Sequence, residues 1–246
     1  MRFGSVAAVA DVSVSFQPGT VSVIMGRNGA GKSSLLWALQ GSGTRTSGSV
    51  RVQASGTTVD PADLSPPERR RVVTLVPQSA SDLLYLETVA QECSQSDHES
   101  GATSGTCAAL LESMVPGIDP QTHPRDLSEG QRLALVLAVQ LTGNPPIVML
   151  DEPTRGLDYP AKDALTEVVR RMTRSGQCVI ISTHDVEFAA GVADRVLVMA
   201  EGEVVADGDP QEILVSSPAF APQVSKILSP EPWLTVDDVR GALGHG

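Results

Sequence analysis

Between positions 26 and 33 the chain reads Gly26-Arg27-Asn28-Gly29-Ala30-Gly31-Lys32-Ser33, with the spacing G-x-x-x-x-G-K-S. The short apolar run Val21–Met25 precedes it, and helix-forming residues from Lys32 to Leu39 follow. A strand, a glycine-rich turn and a helix in that order make a cradle for phosphate. Glycines let backbone N–H groups converge on an anion, and the helix offers its positive end to the same charge. Lys32 is placed to reach the β- and γ-phosphates of a nucleotide, and the Ser33 hydroxyl to hold Mg²⁺. This feature constrains the fold more than any other, because it demands a βα unit and hence a largely parallel sheet.

The rest of the chain supplies such a sheet. Val50 and Val52, then Val72–Val76, Ile147–Leu150, Val179–Ser182 and Val196–Met199, are short apolar runs of buried-strand type. Helix-length segments lie between them, at Ser128–Leu141, Ala161–Arg174 and Val186–Val192. Strands alternating with helices predict a parallel sheet covered on both faces. Glu201-Gly202-Glu203 predicts a hairpin turn leading to an edge strand. Two stretches break the alternation. Thr88–Met114 reads as a small helical insertion with a mobile loop near Ser94–Gly105. The tail from Ser216 holds Pro218, Pro222, Pro230 and Pro232 and reads as loop with short helical pieces.

Composition narrows the function. The chain has 246 residues and a net charge of −11, against the basic stripes that nucleic-acid binders carry, so no nucleic-acid partner is expected. The longest near-continuous apolar run, Leu133 to Leu141, is far short of a bilayer span. The opening residues show no secretory pattern, so a soluble, cytoplasmic chain is expected. Cys93, Cys107 and Cys178 are sparse and lack metal-site spacing, as for ordinary reduced thiols.

Two further segments bring polar residues to strand ends. Ile147-Val148-Met149-Leu150 runs into Asp151-Glu152. Ligands in an open α/β sheet bind at such C-terminal ends. Asp151 is placed to hold Mg²⁺ through water, and Glu152 to orient or deprotonate an attacking water. Taken alone, the pair also reads as a solvated acidic turn before Pro153. Val179-Ile180-Ile181-Ser182-Thr183 ends in His184-Asp185, which puts an imidazole beside the same crevice. A helix-start histidine partnered by Asp185 is the plainer alternative. His98, His123 and His245 read as surface residues. Leu127-Ser128-Glu129-Gly130-Gln131 precedes a nearly all-apolar helix, with Ser128 as N-cap and Gln131 closing a capping box. A capped helix N-terminus is also a phosphate site. A second such element in one chain implies a site completed across a dimer.

Together these residues resemble the ATP-binding cassette (ABC) family over about Arg2 to Asp209, with its motifs in order. Gly26–Ser33 resembles the Walker A loop, and Asn28, Gly29, Ala30, Gly31, Lys32, Ser33 and Ser34 are then the nucleotide-binding residues. Gln78 resembles the Q-loop glutamine, Leu127–Gln131 the family signature, Ile147–Glu152 the Walker B strand with its catalytic glutamate, Gly156-Leu157-Asp158 the D-loop and His184 the switch histidine. The resemblance implies an ATPase with ATP and Mg²⁺ as ligands. Glu152, His184 and Gln78 would act in catalysis, and Ser33, Gln78 and Asp151 around Mg²⁺. Two cassettes would pair head to tail, so that Ser128, Glu129, Gly130 and Gln131 serve ATP bound to the partner. Phe3 occupies the place where the family stacks an aromatic on adenine.

The implied fold is the α/β P-loop NTPase fold of ABC ATPases: a RecA-like parallel-sheet core, an antiparallel β subdomain and an inserted helical subdomain. The chain is expected to be one domain, with a nucleotide core from 1–78 and 143–210, a helical part from 79–142 and an extension from 211–246. Two departures stand out. Glu129 replaces the usual signature glycine, and a carboxylate there disfavours phosphate unless it points away. The chain also opens at Met1-Arg2-Phe3, without the family's preceding strand, as expected either of a misassigned start or of a piece of a longer chain, the latter fitting an upstream tandem cassette.

A narrower similarity is to ATPases of energy-coupling-factor importers, which take up vitamins or cobalt and nickel ions. It rests on Asp82-Leu83-Leu84-Tyr85, His123-Pro124-Arg125-Asp126, Asp151–Tyr159, Pro218–Gln223 and Trp233-Leu234-Thr235. It implies a transmembrane scaffold subunit, a substrate-binding membrane subunit and a second cassette as partners, at the cytoplasmic face of the membrane. A soluble cassette ATPase in cofactor assembly and an exporter cassette are the alternatives.

Overall fold

The computed structural model describes residues 1–3, 6–54, 56–216, 220–229, 231, 233–243. Side chains of residues 2, 3, 6, 7 and 216 lie outside that description, as do Pro218, Pro230, Pro232 and His245. In chain order come strands β1 (Arg2–Phe3), β2 (Val6–Ala7) and β3 (Val21–Met25), helix α1 (Lys32–Gln40), strands β4 (Val52–Ala54) and β5 (Thr57–Val59), helix α2 (Pro66–Val72) and β6 (Val73–Val76). Helices α3 (Val89–Ser100), α4 (Thr106–Met114) and α5 (Glu129–Leu141) follow, then β7 (Ile147–Asp151), α6 (Tyr159–Arg174), β8 (Cys178–Ser182), α7 (Val186–Val192), β9 (Arg195–Ala200) and β10 (Glu203–Gly208). Helices α8 (Pro210–Ser216), α9 (Gln223–Leu228) and α10 (Val236–Leu243) complete the described chain.

One six-stranded sheet, ordered β10-β9-β3-β8-β7-β6, organises these elements. Its neighbours are parallel except for the edge pair β9 and β10. The period-2 alternation of each strand divides the core. Val21, Val23, Met25, Val148, Leu150, Val179 and Ile181 face the side packed by α5, α6 and α7. Ile24, Met149, Cys178 and Ile180 face Leu35 and Leu36 of α1. Burial on both faces explains why these strands read as unbroken apolar runs. Helix α5 is apolar for the same reason: Leu133, Val136 and Leu137 join the sheet core, while Ala134, Leu135 and Ala138 join a separate cluster with α3 and α4.

Three sequence expectations need correction. Val50 lies before β4, and Val72 closes α2 rather than opening β6, because the capped turn Ser65–Glu68 drives a helix up to that point. The segment from Ser94 to Gly105 is held, not loose. Seven of its residues extend α3, and the buried Asp97 carboxylate accepts from Gly105 N at 2.6 Å and Cys107 N at 2.8 Å, fixing the start of α4. Outside the six-stranded sheet, the described antiparallel pairs are two separate hairpins, β1-β2 and β4-β5. Residues 10–18 run without strand partners. Beneath them a cavity of about 1300 Å³ opens between Val12, Phe16, Val52 and Met149, away from the Gly26–Ser33 loop.

Candidate functional site

The sheet brings the chemistry to one edge. In register, Ile24 of β3 pairs Ser182 of β8, and Ser182 pairs Asp151 of β7. The loop after β3, the acid pair ending β7 and the His184 turn after β8 therefore emerge side by side at the C-terminal ends of adjacent strands. Gly26 has φ +149, and a Cβ there would lie 2.4 Å from Met199 O, so only glycine lets the loop turn against β9. Gly31 has φ +102 and forms the N-cap of α1. Helix α1 thus starts directly beneath the loop, with its free N–H groups aimed into the turn.

Lys32 is buried, and its ammonium donates to Gly26 O at 2.9 Å, so it lies along the floor of the loop. The same ammonium is 3.7 Å from Glu152 Oε1. Glu152 adopts φ +51, a left-handed conformation uncommon for a side-chain-bearing residue, and its N–H donates to Ser182 O at 2.9 Å. That twist turns the carboxylate away from the strand direction and toward the loop. His184 Nδ1 lies 2.6 Å from Glu152 Oε2, and His184 N donates to the same oxygen at 3.3 Å. A neutral His184 ring facing a carboxylate carries its proton on Nδ1 and presents Nε2 as an acceptor. Lys32, Glu152 and His184 form one continuous chain of charge and hydrogen bonds.

Asp151 is buried at 3% exposure, and one of its oxygens accepts from the Ser182 hydroxyl. Ser33 and Ser34 are half-buried in the first turn of α1, and Asn28 and Gly29 are exposed at the loop tip. The oxygen donors expected around Mg²⁺ from the sequence are the Asp151 carboxylate, the Ser33 hydroxyl and the Gln78 amide. All are hard oxygens, and no cluster of three or more His, Cys, Asp or Glu suited to a metal occurs among the described residues. That set fits Mg²⁺ completed by phosphate and water, and does not fit zinc. Gln78 is exposed two residues beyond β6, at the same sheet end. Phe3 lies on β1, and its side chain is outside the described residues.

The signature segment stands apart. Ser128 caps α5, accepting from Gln131 N at 3.2 Å while Gln131 Oε1 accepts from Ser128 N at 3.0 Å. Among the described residues no hydrogen bond or ion pair links 127–131 to the Gly26–Ser33 loop. Gly130 packs on the start of α6, where its Cβ would meet Ala161 Cβ at 3.0 Å. Asp158 caps that helix, accepting from Ala161 N at 3.0 Å.

Several contributors were not legible in the sequence. Ser182 bonds Asp151, and the buried Thr154 and Thr183 hydroxyls meet at 3.5 Å. Lys162 reaches Asp185 at 2.5 Å, tying α6 to the His184 turn. Burial pushes the Asp185 carboxyl up, but the hydrogen bonds from Lys162 and from Phe188 N outweigh it and hold the group below its ordinary value. Polar residues clustered just past Ile181 were the available signal, but the pairings depend on register between distant strands.

The family model described as ABC transporter matches residues 9–155, more than half of the chain. The chain belongs to the ABC transporter family. Within it, the chain is an ABC ATPase cassette. It is 54% identical to a Streptomyces avermitilis protein provisionally named as an ABC transporter ATP-binding protein, over 99% of this chain but 43% of that protein. The chain thus spans less than half the length of that relative. It is 35% identical to the cobalt import ATP-binding protein CbiO of Rhodobacter capsulatus, over 86% of this chain and 76% of the relative. Among solved structures, a nucleotide-free ATP-binding cassette from an ABC transporter aligns with a TM-score of 0.76 at 21% identity, over 89% of this chain and 93% of that one. A dimeric post-hydrolysis cassette bound to ADP and Pi aligns at 0.72 and 25% identity, over 85% and 94%. Among the described residues no helix is long and apolar enough to cross a membrane.

Proposed function

We propose that the cassette powers a membrane importer of the energy-coupling-factor type by hydrolysing ATP at the Gly26–Ser33 loop. The observation that carries the hydrolysis in this reading is the Lys32–Glu152–His184 chain at the mouth of that loop, with Glu152 between a cation at 3.7 Å and an imidazole at 2.6 Å, while the importer type rests on likeness to the cobalt import protein. Asn28 to Ser34 cradle the phosphates through backbone N–H groups, and Lys32 neutralises the β- and γ-phosphate oxygens. Glu152 accepts the proton of the attacking water as its oxygen bonds to the γ-phosphorus and the bridging oxygen departs with ADP. His184 holds Glu152 in place and contacts the γ-phosphate edge, while Gln78 orients the water. Ser33, Gln78 and Asp151 would hold Mg²⁺, which when bound neutralises charge on the phosphates.

The turn Ser128, Glu129, Gly130 and Gln131 serves ATP bound to a second cassette through its hydroxyl and backbone N–H groups, with the Glu129 carboxylate turned aside, and Asp158 faces that partner. What supports this is their separation from the chain's own loop, together with a capped helix N-terminus exposed at Ser128. Closure of the two cassettes on ATP and reopening after hydrolysis would drive a transmembrane scaffold and a substrate-binding membrane subunit. The cassette would then sit peripherally at the cytoplasmic face. Likeness to the cobalt import protein favours a cobalt ion as cargo, and the energy-coupling-factor reading also admits a vitamin or a nickel ion.

Gentle solubilisation of native membranes and recovery of the tagged protein tests the importer reading. A multi-span scaffold, a second cassette and a small substrate-binding membrane protein are the expected companions. Recovery with cytosolic partners only would replace it with a soluble role in cofactor assembly.

A further inference from the structure

Arg132 makes four hydrogen bonds around the start of α5. Its Nε donates to Pro124 O at 3.2 Å, and its Nη2 donates to Arg125 O at 3.0 Å and Leu127 O at 2.8 Å. Its Nη1 donates to Glu129 Oε1 at 2.7 Å. The Arg132 side chain is 18% exposed and that of Glu129 62%, so a pinned cation holds a carboxylate that is otherwise free to move in solvent.

The direction of that pull matters. Arg132 lies three residues along the helix from Glu129, but its guanidinium reaches back to the carbonyls of Pro124, Arg125 and Leu127, so it pairs the carboxylate beside the segment that enters α5 and neutralises its charge there. An unpaired Glu129 would instead be attracted to the free N–H groups of its own first turn, which carry the positive end of the helix dipole. There it would occupy the position an incoming phosphate needs, and would repel that phosphate. The stem of Glu129 has a second boundary: its Cγ lies 3.7 Å from where a Cβ on Gly156 would be.

We propose that Arg132 is a positioning residue for the Ser128–Gln131 turn, one that parks the Glu129 carboxylate so that the turn can take a partner's nucleotide phosphate. The proposal rests on the across-dimer reading above. It also accounts for how a phosphate-facing turn tolerates a glutamate: the charge is compensated inside the same chain.

A charge-rescue cycle in the full-length protein tests it, with kcat and KM for ATP and the melting temperature measured for each variant. Arg132→Gln is expected to lower kcat/KM for ATP about tenfold or more, mainly through kcat, with a gap that narrows at high salt. Adding Glu129→Gln is expected to return the double variant to within about threefold of the Glu129→Gln single variant. A merely structural brace on the 124–127 carbonyls would not be relieved in this way, so a double variant as impaired as Arg132→Gln overturns the proposal. If Arg132→Gln does not fold, Arg132→Lys keeps the charge without the fork. It is expected to retain most turnover, and its failure in a folded protein counts against charge compensation. Ser128→Arg separates the two ideas. Loss of turnover in Ser128→Arg without rescue in the cycle sinks Arg132 alone, whereas normal turnover in Ser128→Arg sinks the across-dimer reading with it.

Discussion

Gly31 shows how little room the phosphate loop leaves. A Cβ there would lie 2.2 Å from Ala8 O, and its φ of +102 is already unsuited to a side chain. Gly31→Ala should therefore cost about 1–3 kcal/mol in chemical denaturation and weaken nucleotide binding together. An unchanged midpoint would mean that the segment before β3 yields freely. Lys162 and Asp185 make a second prediction at this scale. A carboxyl held below its unfolded value contributes stability above the ordinary aspartate range of about 3.9 and loses it as pH falls through the folded value. Lys162→Gln should lower the melting temperature at pH 7, and the gap to the natural protein should close as the pH falls below that range. A gap that persists in acid would assign the loss to packing instead.

Among the elements, the helices α3 to α5 carry their own core, and Asp97 is its polar tie. Asp97→Ala would leave the N–H groups of Gly105 and Cys107 without their acceptor, at a cost of about 1–3 kcal/mol. Cys93 and Cys107 lie in the same cluster, so both should then react with an alkylating reagent before Cys178 does. In the natural protein all three thiols are buried, and burial pushes Cys178 up to about 11, which keeps it protonated and slow at neutral pH. Equal labelling of all three in Asp97→Ala would show that the helices do not open separately. Asp97 also shows where sequence reading fails. The Ser- and acid-rich stretch from Ser94 looks loose because its polar residues resemble solvated loop. One of those acids is buried as a cap, a role that depends on where α4 begins. The capping boxes at Ser128 and Ser65 were easier, because their partners lie three residues away. The Ser65–Glu68 box lies only a few residues before Val72, and the helix it starts moves the beginning of β6 to Val73.

For the molecule as a whole, the parallel sheet and its crevice were legible because strands buried on both faces leave continuous apolar runs ending in polar residues. Val21–Met25 into Gly26 and Ile147–Leu150 into Asp151 are such runs. The order of strands across the sheet was not, since no local residue encodes that β8 lies between β3 and β7. Nor was the Lys32–Glu152–His184 chain, which requires that order and the left-handed turn at Glu152. A cassette of this design should work only as a pair. The tip of its phosphate loop and its Ser128 turn are both exposed, and among the described residues no hydrogen bond or ion pair joins them.

The most direct measurement is ATP turnover and assembly state of Glu152→Gln with ATP and Mg²⁺. Hydrolysis should fall by roughly two to four orders of magnitude while ATP still binds, and the chain should shift to a nucleotide-dependent dimer by light scattering. Undiminished hydrolysis would remove Glu152 from the water-activating role and, with it, the account of the site.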